Sequence, residues 1–146
     1  MLGGAPALTA PAARWQRRRD GAVRGADDAR GRTTTAVFQG LGVRPGEADL
    51  TVVQFSTAFC GPCRATRARL QQLQATRPGL AHLDVDAESH LDAVRELDVR
   101  RTPTLFYLDR AGTLLGRSSG APRPDELAAL VEAHVPASGA RGGRDV

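Results

Sequence analysis

Leu50-Thr51-Val52-Val53-Gln54-Phe55-Ser56 leads, three residues later, into Cys60-Gly61-Pro62-Cys63, and the junction between them decides the fold. The first stretch is apolar and β-branched, the pattern of a strand buried on both faces. After the second, Thr66, Leu70 and Leu73 recur at helical spacing, with Arg64, Arg67, Arg69 and Gln71 filling much of the remainder. The spacing predicts an amphipathic helix of about 14 residues, stopped by Pro78-Gly79. A cysteine pair therefore sits where a strand hands over to a helix.

That position has chemical consequences. Unpaired N–H groups at a helix N-terminus favour negative charge and so favour a thiolate. Cys60, at the helix mouth, is the candidate nucleophile, and Cys63, one turn on, is the candidate resolving thiol. Pro62 suits a first helical turn because its missing N–H has no partner there, and Gly61 leaves the sulfur approachable. Exchange then runs through a mixed disulfide on Cys60 that Cys63 resolves. A zinc site is the competing reading of a CxxC pair. Zinc needs four ligands, no second cysteine pair exists, and His82, His90 and His134 have no ligand spacing. No metal is expected.

Outward from the junction, strand-like and helix-like patterns alternate. Leu80 to Val85 reads as a strand, and Leu91, Val94 and Leu97 as one stripe of a short helix. Thr104 to Leu108 reads as a third strand, joined through Asp109-Arg110-Ala111-Gly112 to Thr113–Arg117. Leu127, Leu130 and Val131 mark a last helix, with Asp125 and Glu126 in its first turn. The order is β-α-β-α-β-β-α, an α/β fold with a central mixed sheet. Strands joined through a helix are expected to be parallel, and the last pair antiparallel.

At 146 residues the chain suits one domain. Residues 1–35 are rich in Gly, Ala, Pro, Arg and Thr and poor in large aliphatic side chains, so they are expected to form an unstructured basic arm. Residues 36–135 form the expected domain, with 50–135 as its core, and 136–146 a flexible tail. The net charge of +4 is no nucleic-acid footprint, because ten arginines and ten acidic residues cancel between Leu50 and Val135. All basic residues are arginine, which reads as compositional bias. Arg17-Arg18-Arg19 beside Trp15 could touch an anionic membrane surface, but a solvated arm is the simpler reading. No stretch reaches the roughly 20 apolar residues of a membrane span, and no basic n-region precedes an apolar one. The expected location is the cytoplasm.

Forty residues beyond Cys63, Thr102-Pro103-Thr104 precedes a strand, and a proline suits only a strand's start. Together with Phe59-Cys60-Gly61-Pro62-Cys63, this resembles the thioredoxin family over about residues 50–135. The lowered thiol pKa of a CxxC pair is itself a property of that family, so it arrives with the resemblance rather than independently. The resemblance implies a thioredoxin-like fold and protein-disulfide reductase activity contributing to cell redox homeostasis. It further implies Cys60 as nucleophile, Cys63 as resolving thiol and Pro103 as a cis-proline, with the Thr102 backbone pairing with substrate. No bound cofactor is implied, only the redox-active Cys60–Cys63 disulfide, with electrons from NADPH through a thioredoxin reductase. The implied partners are disulfide-containing proteins and that reductase, and the implied state is a monomer.

The chain departs from the family at several positions. Gln54 stands where the family usually has a buried Asp that helps deprotonate the resolving thiol, and His82 falls near the Lys that accompanies it. Phe59 and Ser56 replace two usual tryptophans. Met1 to Asp49 shows no clear first strand–helix pair, although Ala36-Val37-Phe38 reads as a remnant. Two other functions fit less well: a non-catalytic thioredoxin-fold interaction module, and a membrane-associated assistant of disulfide or haem assembly. Glutaredoxin-like chemistry fits less well again, since the Gly-Pro pair matches thioredoxin better.

Overall fold

The strand Leu50–Ser56 lies inside a five-stranded sheet. A computed structural model of the chain describes residue 21, residues 23–25 and residues 28–138. The elements are β1 (Arg24–Gly25), α1 (Asp28–Leu41), β2 (Leu50–Ser56), α2 (Gly61–Thr76), β3 (Leu80–Asp86), α3 (Leu91–Glu96), β4 (Thr104–Asp109), β5 (Leu114–Ser119) and α4 (Pro124–His134). The strand order is β1-β5-β4-β2-β3. β2 and β3 are parallel, and the β2–β4, β4–β5 and β1–β5 pairs are antiparallel. From Leu50 to His134 the order is the expected β-α-β-α-β-β-α.

The period of two along a strand sorts β2 into two cores. Leu50 and Val52 face α2 and α4, where they meet Leu70, Leu105, Tyr107, Leu127 and Val131. Val53 and Phe55 face the other way, toward Phe38, Val85, Leu97 and Phe106. There the Phe106 ring lies 5.2 Å from that of Phe38 and 5.8 Å, edge-on, from that of Phe55. Gln54 falls on the same side as Leu50 and Val52, beneath α2, and the whole of β2 is buried. An amide is thus placed inside the layer that carries the cysteines.

The N-terminal expectation needs correction. Residues 24–25 form a strand and residues 28–35 lie in α1, within the stretch 1–35 expected to be unstructured. Two physical causes account for this. β1 is held by main-chain pairing with β5, which asks nothing of its side chains. α1 is anchored at its far end, where Phe38 is fully buried and Val37 and Leu41 pack against the same core. Residues 1–20, 22, 26–27 and 139–146, which belong to the expected arm and to most of the tail, lie outside the described residues. A smaller correction concerns α3: Leu97 is buried and Val94 half-buried, but Leu91 is exposed, so the predicted stripe is incomplete.

Candidate active site

The cysteines cap α2. Cys60 is the N-cap in extended conformation, with Gly61, Pro62 and Cys63 forming the first turn, and the Cys63 amide donates to Cys60 Sγ at 3.2 Å. The two are joined by a disulfide with their Cα atoms 5.2 Å apart. Cys60 keeps 8% of its surface open and Cys63 none, so approach is possible only at Cys60. Phe59 stands fully exposed immediately before it. A Cβ at Gly61 would meet nothing within 4 Å, so no neighbouring atom of the chain requires glycine there.

The Thr102–Pro103 peptide is cis. Its loop is tied to the segment before Cys60 by a 3.2 Å contact between the hydroxyls of Thr57 and Thr102. On the other side, the Gly120 amide donates to the Pro103 carbonyl at 2.8 Å. Thr104 closes the turn by donating its hydroxyl to the Arg101 carbonyl at 2.6 Å. Thr102 and Pro103 are therefore fixed relative to Cys60 through β2, β4 and β5.

Gln54 is the most connected of the predicted residues. Its Nε2 donates to the Cys63 carbonyl at 2.9 Å and to Ser56 Oγ at 3.0 Å. Its Oε1 lies 3.0 Å from His82 Nε2. A main-chain carbonyl only accepts, so it fixes the orientation of the Gln54 amide, and the amide in turn requires a proton on His82 Nε2. Ser56, having accepted from Gln54, donates to Asp84 Oδ1 at 2.9 Å. Asp84 Oδ2 accepts from Arg67 on α2 at 2.7 and 2.6 Å. Donation therefore runs in one sense, from His82 through Gln54 and Ser56 to a carboxylate at the surface. Burial pushes the His82 pKa below its ordinary value, the charge of Asp84 opposes this, and that of Arg67 reinforces it.

The structure thus brings together Gln54, His82, Phe59, Cys60, Gly61, Pro62 and Cys63 around one helix end, with Thr102 and Pro103 on the adjoining loop. Ser56, Asp84 and Arg67 complete the polar network and were not singled out as site residues. Part of the signal lies in the sequence, since residues two apart on a strand share a face and so join Ser56 to Gln54; the β2–β3 register that sets Asp84 opposite Gln54 is seen only in the structure. Among the described residues no group of three His, Cys, Asp or Glu could hold a metal ion. No described helix is long and apolar enough to cross a membrane.

The chain has relatives in sequence and in fold. The family model described as thioredoxin matches residues 34–133. Thioredoxin H4-1 of Oryza sativa subsp. japonica is 30% identical over 89 residues, covering 59% of this chain and 67% of the relative. Thioredoxin-2 of Pyricularia oryzae is 33% identical over 87 residues, covering 60% of this chain and 50% of the relative. The chain thus spans between half and two thirds of the length of these curated relatives. Among solved structures, thioredoxin f2 of Chlamydomonas reinhardtii superposes with a TM-score of 0.55 at 26% identity, over 68% of this chain and 91% of that one. Oxidised mitochondrial thioredoxin 3 of Saccharomyces cerevisiae gives the same TM-score at 24% identity, over 68% and 89%.

Proposed function

The chain belongs to the thioredoxin family, and from that premise we propose that it is a protein-disulfide reductase working through Cys60 and Cys63. The observation that carries the reading is the asymmetry of the pair: Cys60 at the helix mouth keeps 8% of its surface open, and Cys63 one turn on is fully buried. In the reduced protein the Cys60 thiolate attacks a substrate disulfide. A Cys60–substrate bond forms, the substrate disulfide breaks, and the released sulfur takes a proton from solvent. Cys63 then loses its proton and attacks Cys60 Sγ, forming the intramolecular disulfide and releasing the second substrate sulfur. Two electrons have passed to the substrate. The cis-proline loop offers the Thr102 backbone as an edge along which an extended substrate can pair.

The resting disulfide needs two electrons for each cycle, and the family resemblance supports NADPH through a thioredoxin reductase as their source. A monomer in the cytoplasm, contributing to redox homeostasis, completes the proposal, since a reducing compartment keeps such a dithiol charged. The test is a disulfide-reduction assay fed in parallel by NADPH with thioredoxin reductase, or by glutathione. Turnover with the first and not the second is expected. Turnover with glutathione alone would assign glutaredoxin chemistry, and turnover with neither would leave an interaction module.

A further inference from the structure

β5 reaches the loop that presents Thr102 and Pro103 at both of its ends. The loop runs from Leu97, where α3 stops, to Thr104, where β4 begins. At the far end the Gly120 amide holds the Pro103 carbonyl at 2.8 Å. Gly120 has φ +95°, and a Cβ there would lie 3.4 Å from the guanidinium carbon of Arg101, so this end is closely fitted. At the near end the hold comes from one side chain. Arg117 donates through Nη1 to the Leu97 carbonyl at 2.5 Å and through Nη2 to the Asp98 carbonyl at 2.9 Å. Carbonyls past a helix end have no donor within the helix, and a guanidinium fork can serve two of them at once.

Arg117 is itself backed by the core. It stands opposite Phe106 in the β4–β5 register, and its guanidinium carbon lies 4.8 Å from the centre of that ring. Phe106 is buried and packed against Phe38 and Phe55, so the fork rests on a fixed surface. The backbone it grips needs holding: Asp98 has φ +52°, a left-handed conformation disfavoured for residues with a Cβ. Between the anchors the loop adds bonds of its own. The Val99 amide donates to the Val94 carbonyl at 2.9 Å, and Arg100 Nε donates to the Asp98 carboxylate at the same distance.

We propose that Arg117 is a positioning residue for substrate docking: by tying Leu97 and Asp98 to β5, it sets where the Thr102–Pro103 edge stands relative to Cys60. This rests on the reductase reading above and deepens it. The fork ends on the loop rather than at the cysteines, so it governs substrates whose backbone pairs with the loop and not disulfides too small to pair. Lysine at this position keeps the charge, but one nitrogen neither bridges two carbonyls nor lies flat on a ring.

The test compares the full chain with Arg117→Lys and Arg117→Met, and with Val131→Ala, which loosens the α2–α4 core away from the loop and controls for lost stability. Each reduced protein reacts in single turnover with insulin, a protein disulfide, and with oxidised 2-mercaptoethanol, which has no backbone. Both Arg117 variants are expected to lose about tenfold in second-order rate toward insulin, short of the roughly 10²-fold that a misplacement of about 1 Å can cost, and to stay within about twofold toward the small disulfide. Val131→Ala is expected to keep both rates. An equal fall with both disulfides, or no fall with insulin, would overturn the proposal. Amide hydrogen exchange reads the loop without turnover. The Val99 and Gly120 amides are expected to exchange about tenfold faster in the Arg117 variants, while those of Val52 and Val53 in β2 hold. Such local acceleration in a chain that reduces neither disulfide would sustain the hold of Arg117 on the loop and sink the reductase reading. Exchange that quickens uniformly, or not at all, would overturn the proposal.

Discussion

Replacing Gln54 by glutamate exchanges one NH2 group for oxygen at constant shape, and so turns a donor into an acceptor at a site that needs the donor. Gln54 Nε2 donates 2.9 Å to the Cys63 carbonyl and 3.0 Å to Ser56, in a site with no solvent exposure. An ionised glutamate would set oxygen against oxygen at the first contact, so the buried carboxyl is held protonated and its pKa raised. The protonated acid restores one of the two donated bonds. Losing the other costs about 1–3 kcal/mol at pH 4, where folded and unfolded states are both largely neutral. Above the unfolded value of about 4.3 the unfolded chain sheds its proton while the native one keeps it. The native state then binds more protons, and stability falls as pH rises, by up to about 1.4 kcal/mol per unit until the folded pKa is reached. Urea unfolding of both proteins from pH 4 to 8 measures this as a widening gap. A gap independent of pH, or a glutamate variant more stable at pH 8, would refute the orientation assigned to the amide. Gln54→Asp tests the kinetic side. A carboxyl of raised pKa beside Cys63 can accept its proton, and mixed-disulfide resolution in single turnover is expected to quicken by about threefold to tenfold, well below the 10²–10⁴ of a placed base.

Cys60→Ser should abolish turnover and Cys63→Ser should accumulate mixed disulfides. Alkylation of the reduced wild type should label Cys60 first, and labelling of Cys63 first would reverse the roles. Phe38→Ala should cost about 3–5 kcal/mol in chemical denaturation, because it empties one side of the Phe106 ring cluster. Removal of residues 1–33 deletes β1 and six residues of α1 and should cost about 1–3 kcal/mol in lost main-chain and apolar contacts, whereas an unchanged melting temperature would mean these elements do not hold. His82 has a folded pKa below its unfolded value, so its contribution is complete above about 6.5 and is lost as pH falls toward the folded value. His82→Gln should accordingly flatten the pH dependence of stability between 5 and 7, and an unaltered slope there would place the proton elsewhere.

What the sequence made legible was whatever local pattern alone determines. The run from Leu50 to Ser56 could be only a buried strand, and the cysteines announced a helix start because proline and a capping residue suit that place. The significance of Gln54 was visible as a missing carboxylate, and its link to His82 as a matched substitution. Strand alternation alone puts Ser56 on the face of Gln54, but the onward bond to Asp84 was not legible, because it exists only once β2 and β3 are in register. β1 escaped for a different reason: a composition of Gly, Ala and Arg says how little a segment can bury, and nothing of an edge it can join by backbone alone. α1 was half read, through Ala36-Val37-Phe38, because its apolar contacts crowd into its last turns.

The one-way order of donors beneath the cysteines makes His82 an observer of events at a distance. Its Nε2 proton is committed to Gln54, and Gln54 is committed to the peptide that joins Cys63 to Arg64. A shift of that peptide when the sulfurs part is passed to an imidazole held in a single tautomer. The ring's nuclear resonances are therefore expected to differ between the charged and the spent chain, without a label on either sulfur.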